Sequence, residues 1–283
     1  MTETPFGRVL EELRSLDFER YLSLLVIKEE PRRALTALYG LNAEIAKVRE
    51  LVSEPMLGEI RLQWWRETAE HLFKGETRGH DVAACLAELL PESIIGAEDL
   101  IDLIDGRSRD LEAGLFQDFG DLDAYVEATQ GQLMRLGAKL LTGKEIEPGL
   151  DAAITAGARA YAYTGFLRAL PYHASQGYMM LPQSLLAKHE VELEDLFNGV
   201  ARPGLYEAMR EMAALSQEAL NEMRHHMNDV PKNCLPVFLP LAAVPLYQKR
   251  YLARKDHPFR DRVEVPAFRL QWRFLAAQWR GRI

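Results

Sequence analysis

The chain has 283 residues, 48% hydrophobic and 27% charged, the balance of a globular protein and not of a disordered or collagenous one. Its net charge of −8 disfavours wrapping nucleic acid, yet the charge is segregated: residues 249–283 hold ten Lys and Arg against Asp256, Asp261 and Glu264. Cys85 and Cys234 are the only cysteines, which excludes a disulfide scaffold and a cysteine zinc site and suits a reducing compartment.

The first twenty residues contain acids and no apolar run, so no secretory signal is expected. Leu35, Leu38, Tyr39, Asn42, Ile45, Ala46, Arg49 and Val52 step by three and four, which predicts a helix over 31–52. Ser53-Glu54-Pro55 ends it, with Ser53 as the expected cap and Pro55 in the first turn of a helix running to about residue 74. Residues 75–79 break the chain. Further helices are expected over 81–90, 97–115, 121–141, 150–170, 203–228, 235–254 and 266–280, with Pro171 ending or kinking the fourth of these seven. No strand pair is predicted, because the apolar run 179–181 stops at Pro182. The longest apolar run, 234–247, is too short to span a bilayer and is broken by Pro236, Pro240 and Pro245. These patterns predict one all-α domain over 1–283, soluble or peripheral to a membrane, with helices packed around a centre able to hold a ligand.

Several side chains invite a functional reading. Glu50 and Glu54 stand four apart, so on one helical face they would offer two carboxylates to Mg²⁺; the alternative is a solvated, charged helix end beside Arg49. Trp64 and Trp65 point about 100° apart on a helix and would serve two packing surfaces, or one wall of a ligand cavity. Tyr161, Tyr163, Arg168, Tyr172 and His173 gather near one helix end, where Arg168 suits an anion and His173 could titrate near neutrality. His225, His226 and Asp229 form a weak metal pattern, since adjacent histidines do not share a helical face. In the last helix Trp272, Leu275 and Trp279 line one side, with Arg269, Arg273, Arg280 and Arg282 nearby. That combination suits a helix docked on the bundle, or a basic aromatic surface for anionic lipid or an acidic partner.

Taken in order, these segments resemble the squalene/phytoene synthase family. The likeness rests on 33–39 (Arg-Ala-Leu-Thr-Ala-Leu-Tyr), 62–66 with its two tryptophans, 121–125 (Asp-Leu-Asp-Ala-Tyr) with Gly131, and Leu167-Arg168 through Gly177 to Leu181-Pro182. The resemblance implies an all-α isoprenoid-synthase fold with a central cavity. It also implies a reaction joining two prenyl diphosphates, in which two aspartate-rich motifs hold Mg²⁺. Positions carried over as ligand-binding are Arg33, Lys47, Tyr125 and Arg168.

The sequence departs from the family at both motifs. Positions matching the first fall on Ala46, Lys47 and Glu50, and those matching the second on Ala169 and His173. The arginine before the first motif is Ala43 here, and the Arg and Tyr before Leu181-Pro182 are Tyr178 and Met180. Two diphosphates in a low-dielectric cavity need divalent cations, and neither Lys47 nor His173 replaces a bridging carboxylate–Mg²⁺ unit. The stretches 167–173 (Leu-Arg-Ala-Leu-Pro-Tyr-His) and 42–45 resemble a branch that includes a mitochondrial complex I assembly factor lacking these motifs. The resulting expectation is a cytoplasmic, non-catalytic relative without a cofactor, partnering a respiratory complex I subunit or assembly intermediate. An isoprenoid or lipid ligand and membrane contact through 266–283 would accompany it, and nucleic acid is not expected as a partner. The alternatives are a prenyl transferase using Mg²⁺ with relocated groups (Glu50, Glu54, His173 and the acids of 118–123), and a plain isoprenoid or lipid carrier.

Overall fold

A computed structural model describes residues 4–74, 76–77, 79–112, 114–253, 257–260 and 264–283, and among these every regular element is helical. The helices are α1 (Pro5–Leu16), α2 (Phe18–Leu24), α3 (Glu29–Ala46), α4 (Val48–Leu51), α5 (Pro55–Leu72), α6 (Asp81–Leu89), α7 (Ala97–Asp105) and α8 (Phe119–Val126). They continue with α9 (Gln132–Thr142), α10 (Pro148–Ser175), α11 (Gln183–Lys188), α12 (Leu193–Phe197), α13 (Pro203–His225), α14 (Leu235–Phe238), α15 (Val244–Ala253) and α16 (Ala267–Arg280).

Local chemistry sets the boundaries. Thr4 caps α1 by accepting from the Gly7 amide, and Pro5 fills the first turn. Asp17 caps α2 in the same way through the Arg20 amide, so the two helices meet at a sharp corner. The helix expected over 31–52 is divided: α3 ends at Ala46, Lys47 serves as the joint, and α4 lasts one turn before Val52 turns extended. Glu54, not Ser53, precedes α5, and no side chain caps it.

The segment expected over 121–141 is one rod from 119 to 142 that carries a π-helical turn, Glu127–Gly131. The widened turn admits one extra residue locally. Gly106 passes so close to it that a Cβ there would sit 2.6 Å from the Ala128 carbonyl oxygen. The central helix α10 runs through Pro171 to Ser175 instead of stopping at residue 170. Proline removes one backbone donor and leaves the Leu167 carbonyl without its usual acceptor role. The expected helix 235–254 is three pieces, α14, a 3₁₀ stretch Leu239–Ala243 and α15, because Pro236, Pro240 and Pro245 interrupt the hydrogen-bond ladder.

Buried apolar side chains form one cluster reaching from Phe6 to Ala277. Helix α10 lies in its middle, packed along α13 and touching the π-turn, α8, α9 and α15. Helix α16 docks on α2 and the 239–243 stretch through Leu270, Phe274 and Ala277. No described helix is long and apolar enough to cross a membrane.

Candidate functional site: an arginine-lined central cavity

A cavity of about 570 Å³ opens between the α1–α2 corner, the end of α3, residues 107–110, the π-turn and the face of α10. On α10 the lining positions Ala162, Gly165 and Ala169 carry small side chains, opposite Ala46 on α3, and these keep the space open. A Cβ added at Gly165 would meet nothing within 4 Å.

Four arginines line it, and three are held by acids. Arg20, almost fully buried, donates to Asp17 and to Gln130, and its guanidinium lies 5.1 Å from the ring centres of both Tyr39 and Tyr161. A cation between two aromatic faces with a bound carboxylate is well compensated for its burial. Arg107 donates to Asn42 (3.0 Å) and to the Tyr125 hydroxyl (2.9 Å), and stands 3.4 Å from Asp110. The Tyr125 hydroxyl in turn donates to Asp110 (2.6 Å). Arg168 grips Glu19 at 2.7 and 2.8 Å, over the Tyr247 ring. Arg49 is the exception: it donates to the Asp110 carbonyl and lies 4.1 Å over the Tyr178 ring, with no carboxylate partner among the described residues.

The titrations follow from burial. Burial, with Asp110 beside it, holds the Tyr125 hydroxyl protonated far above the usual phenol range. Tyr39 is pushed up to about 12 by burial. Burial and then the Arg49 charge lower His173 to about 4, so it is a neutral imidazole at pH 7. Its Nδ1 is buried with no hydrogen-bond partner among the described residues, and its ring lies 4.6 Å from that of Tyr178.

The sequence-based candidates divide into two groups. Tyr125, Arg168 and His173 line the cavity, and Glu50 stands exposed at its rim, where its charge adds to desolvation in raising the Tyr172 pKa. Lys47 instead pairs with Glu44, and Arg33 pairs with Glu88 above the Phe6 ring; neither lines the cavity. Glu54 lies outside it as well. The shared helical face expected for Glu50 and Glu54 does not form, because α4 ends at Leu51 and the backbone is extended at Val52 and Glu54.

The acids of 118–123 are engaged elsewhere. Asp118 caps α8, Asp121 accepts from the Gln117 amide, and Asp123 binds Arg159 and Tyr163. Trp65 is buried and Trp64 half-buried, edge-to-face at 4.8 Å beside His80, as core packing requires. Among the described residues no three His, Cys, Asp or Glu side chains are grouped to hold a metal ion.

Sequence reasoning passed over Arg20, Arg107, Asp17 and Glu19. A charged pattern at an N-terminal helix reads as solvated surface, and only the fold brings Glu19 to Arg168 and Tyr247. The local Asp17–Arg20 spacing was the one available signal.

Comparison with known proteins gives a consistent result. The family model "Squalene/phytoene synthase" matches residues 13–269. The complex I assembly factor 6 of Rattus norvegicus is 29% identical over 241 residues, covering 85% of this chain and 72% of that protein. The 15-cis-phytoene synthase of Synechococcus elongatus is 26% identical, covering 81% and 84%. Among solved structures, a dehydrosqualene synthase with a bound ligand superposes with a TM-score of 0.81 at 14% identity, covering 98% of this chain and 95% of its own. A squalene synthase from Alicyclobacillus acidocaldarius gives 0.71 at 15% identity, covering 98% and 94%. The shared fold is thus the all-α isoprenoid-synthase bundle, and this chain belongs to the squalene/phytoene synthase family.

Proposed function

We propose that the protein is a non-catalytic, single-domain member of this family that serves as an assembly or stability factor for respiratory complex I. One observation carries the reading: the inner carboxylates of the cavity, Asp17, Glu19 and Asp110, are each taken up by arginine or tyrosine donors, which leaves only the exposed Glu50 at the rim among the described lining residues. Where the family resemblance calls for aspartates, Ala46, Ala169 and His173 line the wall. Mg²⁺ prefers several oxygen ligands, and this donor set does not fit it. A prenyl diphosphate would bring several negative charges into a low-dielectric space in which, among the described residues, Arg49 is the one lining arginine without a carboxylate partner. The mammalian, Dictyostelium discoideum and Drosophila melanogaster relatives are named as complex I assembly factor 6 or its homologue, which supports a role in complex I assembly.

The same reading puts the protein in the cytoplasm, at the inner face of the membrane, with contact through 266–283. Supporting it, Phe268, Trp272, Leu275 and Trp279 are 58, 71, 47 and 87% exposed and fall on one stripe of α16, facing away from its docked side. Aromatic side chains beside Arg269, Arg280 and Arg282 suit an anionic lipid surface. An isoprenoid or lipid chain would be the ligand of the central cavity.

The deciding experiment is deletion of the coding sequence, followed by native gels of the membrane fraction. Loss of assembled complex I is expected, and normal levels would overturn the proposal. A second reading, a prenyl transferase with altered ligands, draws on the open cavity and on Glu50 at its rim. Purified protein with farnesyl or geranylgeranyl diphosphate, Mg²⁺ and NADPH tests it: diphosphate release or a new lipid would establish activity.

A further inference from the structure

Beside the central cavity lies a second space of about 290 Å³, and the two share Arg49, Asp110, Tyr178 and Met180 as a common wall. Its remaining walls are mostly apolar, including Phe116, Met179 and Leu193. Three charged groups at its polar end besides Arg49 are already matched. Arg109 stands 2.8 Å from Glu112 and 3.7 Å from Asp121, and the Asp110 carboxylate is held by Tyr125 and Arg107. Arg49 is left over. One of its terminal nitrogens donates to the Asp110 carbonyl, while its Nε and other terminal nitrogen have no partner among the described residues.

We propose that this side cavity binds a single-chain lipid bearing one carboxylate, with Arg49 taking the head group and the wall of Phe116, Met179, Met180 and Leu193 taking the chain. A guanidinium presents paired N–H donors that match one carboxylate, and a single cation balances a single charge. The nearby Asp110 and Glu112 carboxylates disfavour a head group with a second negative charge, such as a phosphate dianion. Methionines adapt to the irregular outline of a flexible chain. The site adjoins the central cavity across this shared wall and does not depend on the assembly-factor reading.

The test titrates the intact, delipidated protein with dodecanoate, read by calorimetry and native mass spectrometry. One dodecanoate per chain is expected, with affinity at least tenfold weaker in Arg49→Gln and in Leu193→Trp, which fills the chain end. Dodecanol and dodecyl phosphate should bind the native protein more weakly than dodecanoate. Gly165→Leu, which intrudes on the central cavity alone, should leave binding unchanged. Absence of binding, equal affinity in Arg49→Gln, or a loss confined to Gly165→Leu would each overturn the proposal. Melting curves establish that each variant is folded; if Arg49→Gln is not, Leu193→Trp and the dodecanol comparison decide the matter.

Discussion

Arg168 and Glu19 are 149 positions apart in sequence, and their side chains meet in a two-pronged contact of 2.7 and 2.8 Å. Tyr247 donates its hydroxyl to the same carboxylate, and its ring centre lies 4.2 Å from the guanidinium. One point therefore ties α2, α10 and α15 together at the cavity wall. Glu19→Ala leaves a largely buried guanidinium without its counter-charge. A fully buried pair costs about 3–5 kcal/mol when broken this way, and the partial exposure of Arg168 lowers the expectation to about 2–3 kcal/mol. Urea unfolding of the variant measures it, and a cost below about 1 kcal/mol would show that the contact does little for the fold.

Gly165 lies inside a long helix, where glycine costs roughly 0.5–1 kcal/mol relative to alanine. Since a Cβ there enters open space, Gly165→Ala should raise stability by about that amount. An increase in the denaturant midpoint at unchanged m-value checks it, and a decrease would mean that the cavity wall at Gly165 has no room for a methyl group.

The His173 imidazole gives stability a pH dependence with a definite sign. Its folded-state value is near 4, below the ordinary 6.5, so the unfolded chain takes up a proton more readily. Stability from this group is complete above about pH 6.5 and is lost as pH falls towards 4, by at most about 3 kcal/mol. Unfolding of the native protein and His173→Gln at pH 7.5 and 4.5 isolates the contribution. The variant should lose less on acidification, and equal losses would remove the claim.

Helix α16 separates two roles on its two faces. Phe274→Ala removes a fully buried ring from the docked side and should cost about 3–5 kcal/mol. Trp272→Ser with Trp279→Ser acts on the exposed side and should change stability by no more than about 0.5 kcal/mol per site. Co-sedimentation with vesicles containing anionic lipid should fall sharply in the double variant alone. Unaltered sedimentation would dissociate these tryptophans from membrane contact.

The helical class was legible because apolar residues recur at three and four in segment after segment, and the Leu35–Ile45 face is buried as that spacing requires. What escaped was the register of interruptions. The division at Lys47 has no proline to announce it, and the prolines of 236–245 mark interruptions without giving the length of each piece. Through that division Glu50 and Glu54 lost the shared face their spacing suggested. At the site, Tyr125, Arg168 and His173 were identifiable from 167–173 and 121–125, while Arg20 was not, since its two aromatic neighbours come from α3 and α10. Charge partners contributed by distant segments leave no periodic trace in a sequence.

With apolar side chains on both sides, the last helix also governs how the molecule behaves in a test tube. In plain buffer at high concentration its uncovered flank is the surface by which copies would stick together, so light scattering should grow with dilution reversed and shrink with mild detergent. Handling conditions thus report on the same four side chains that a bilayer would meet.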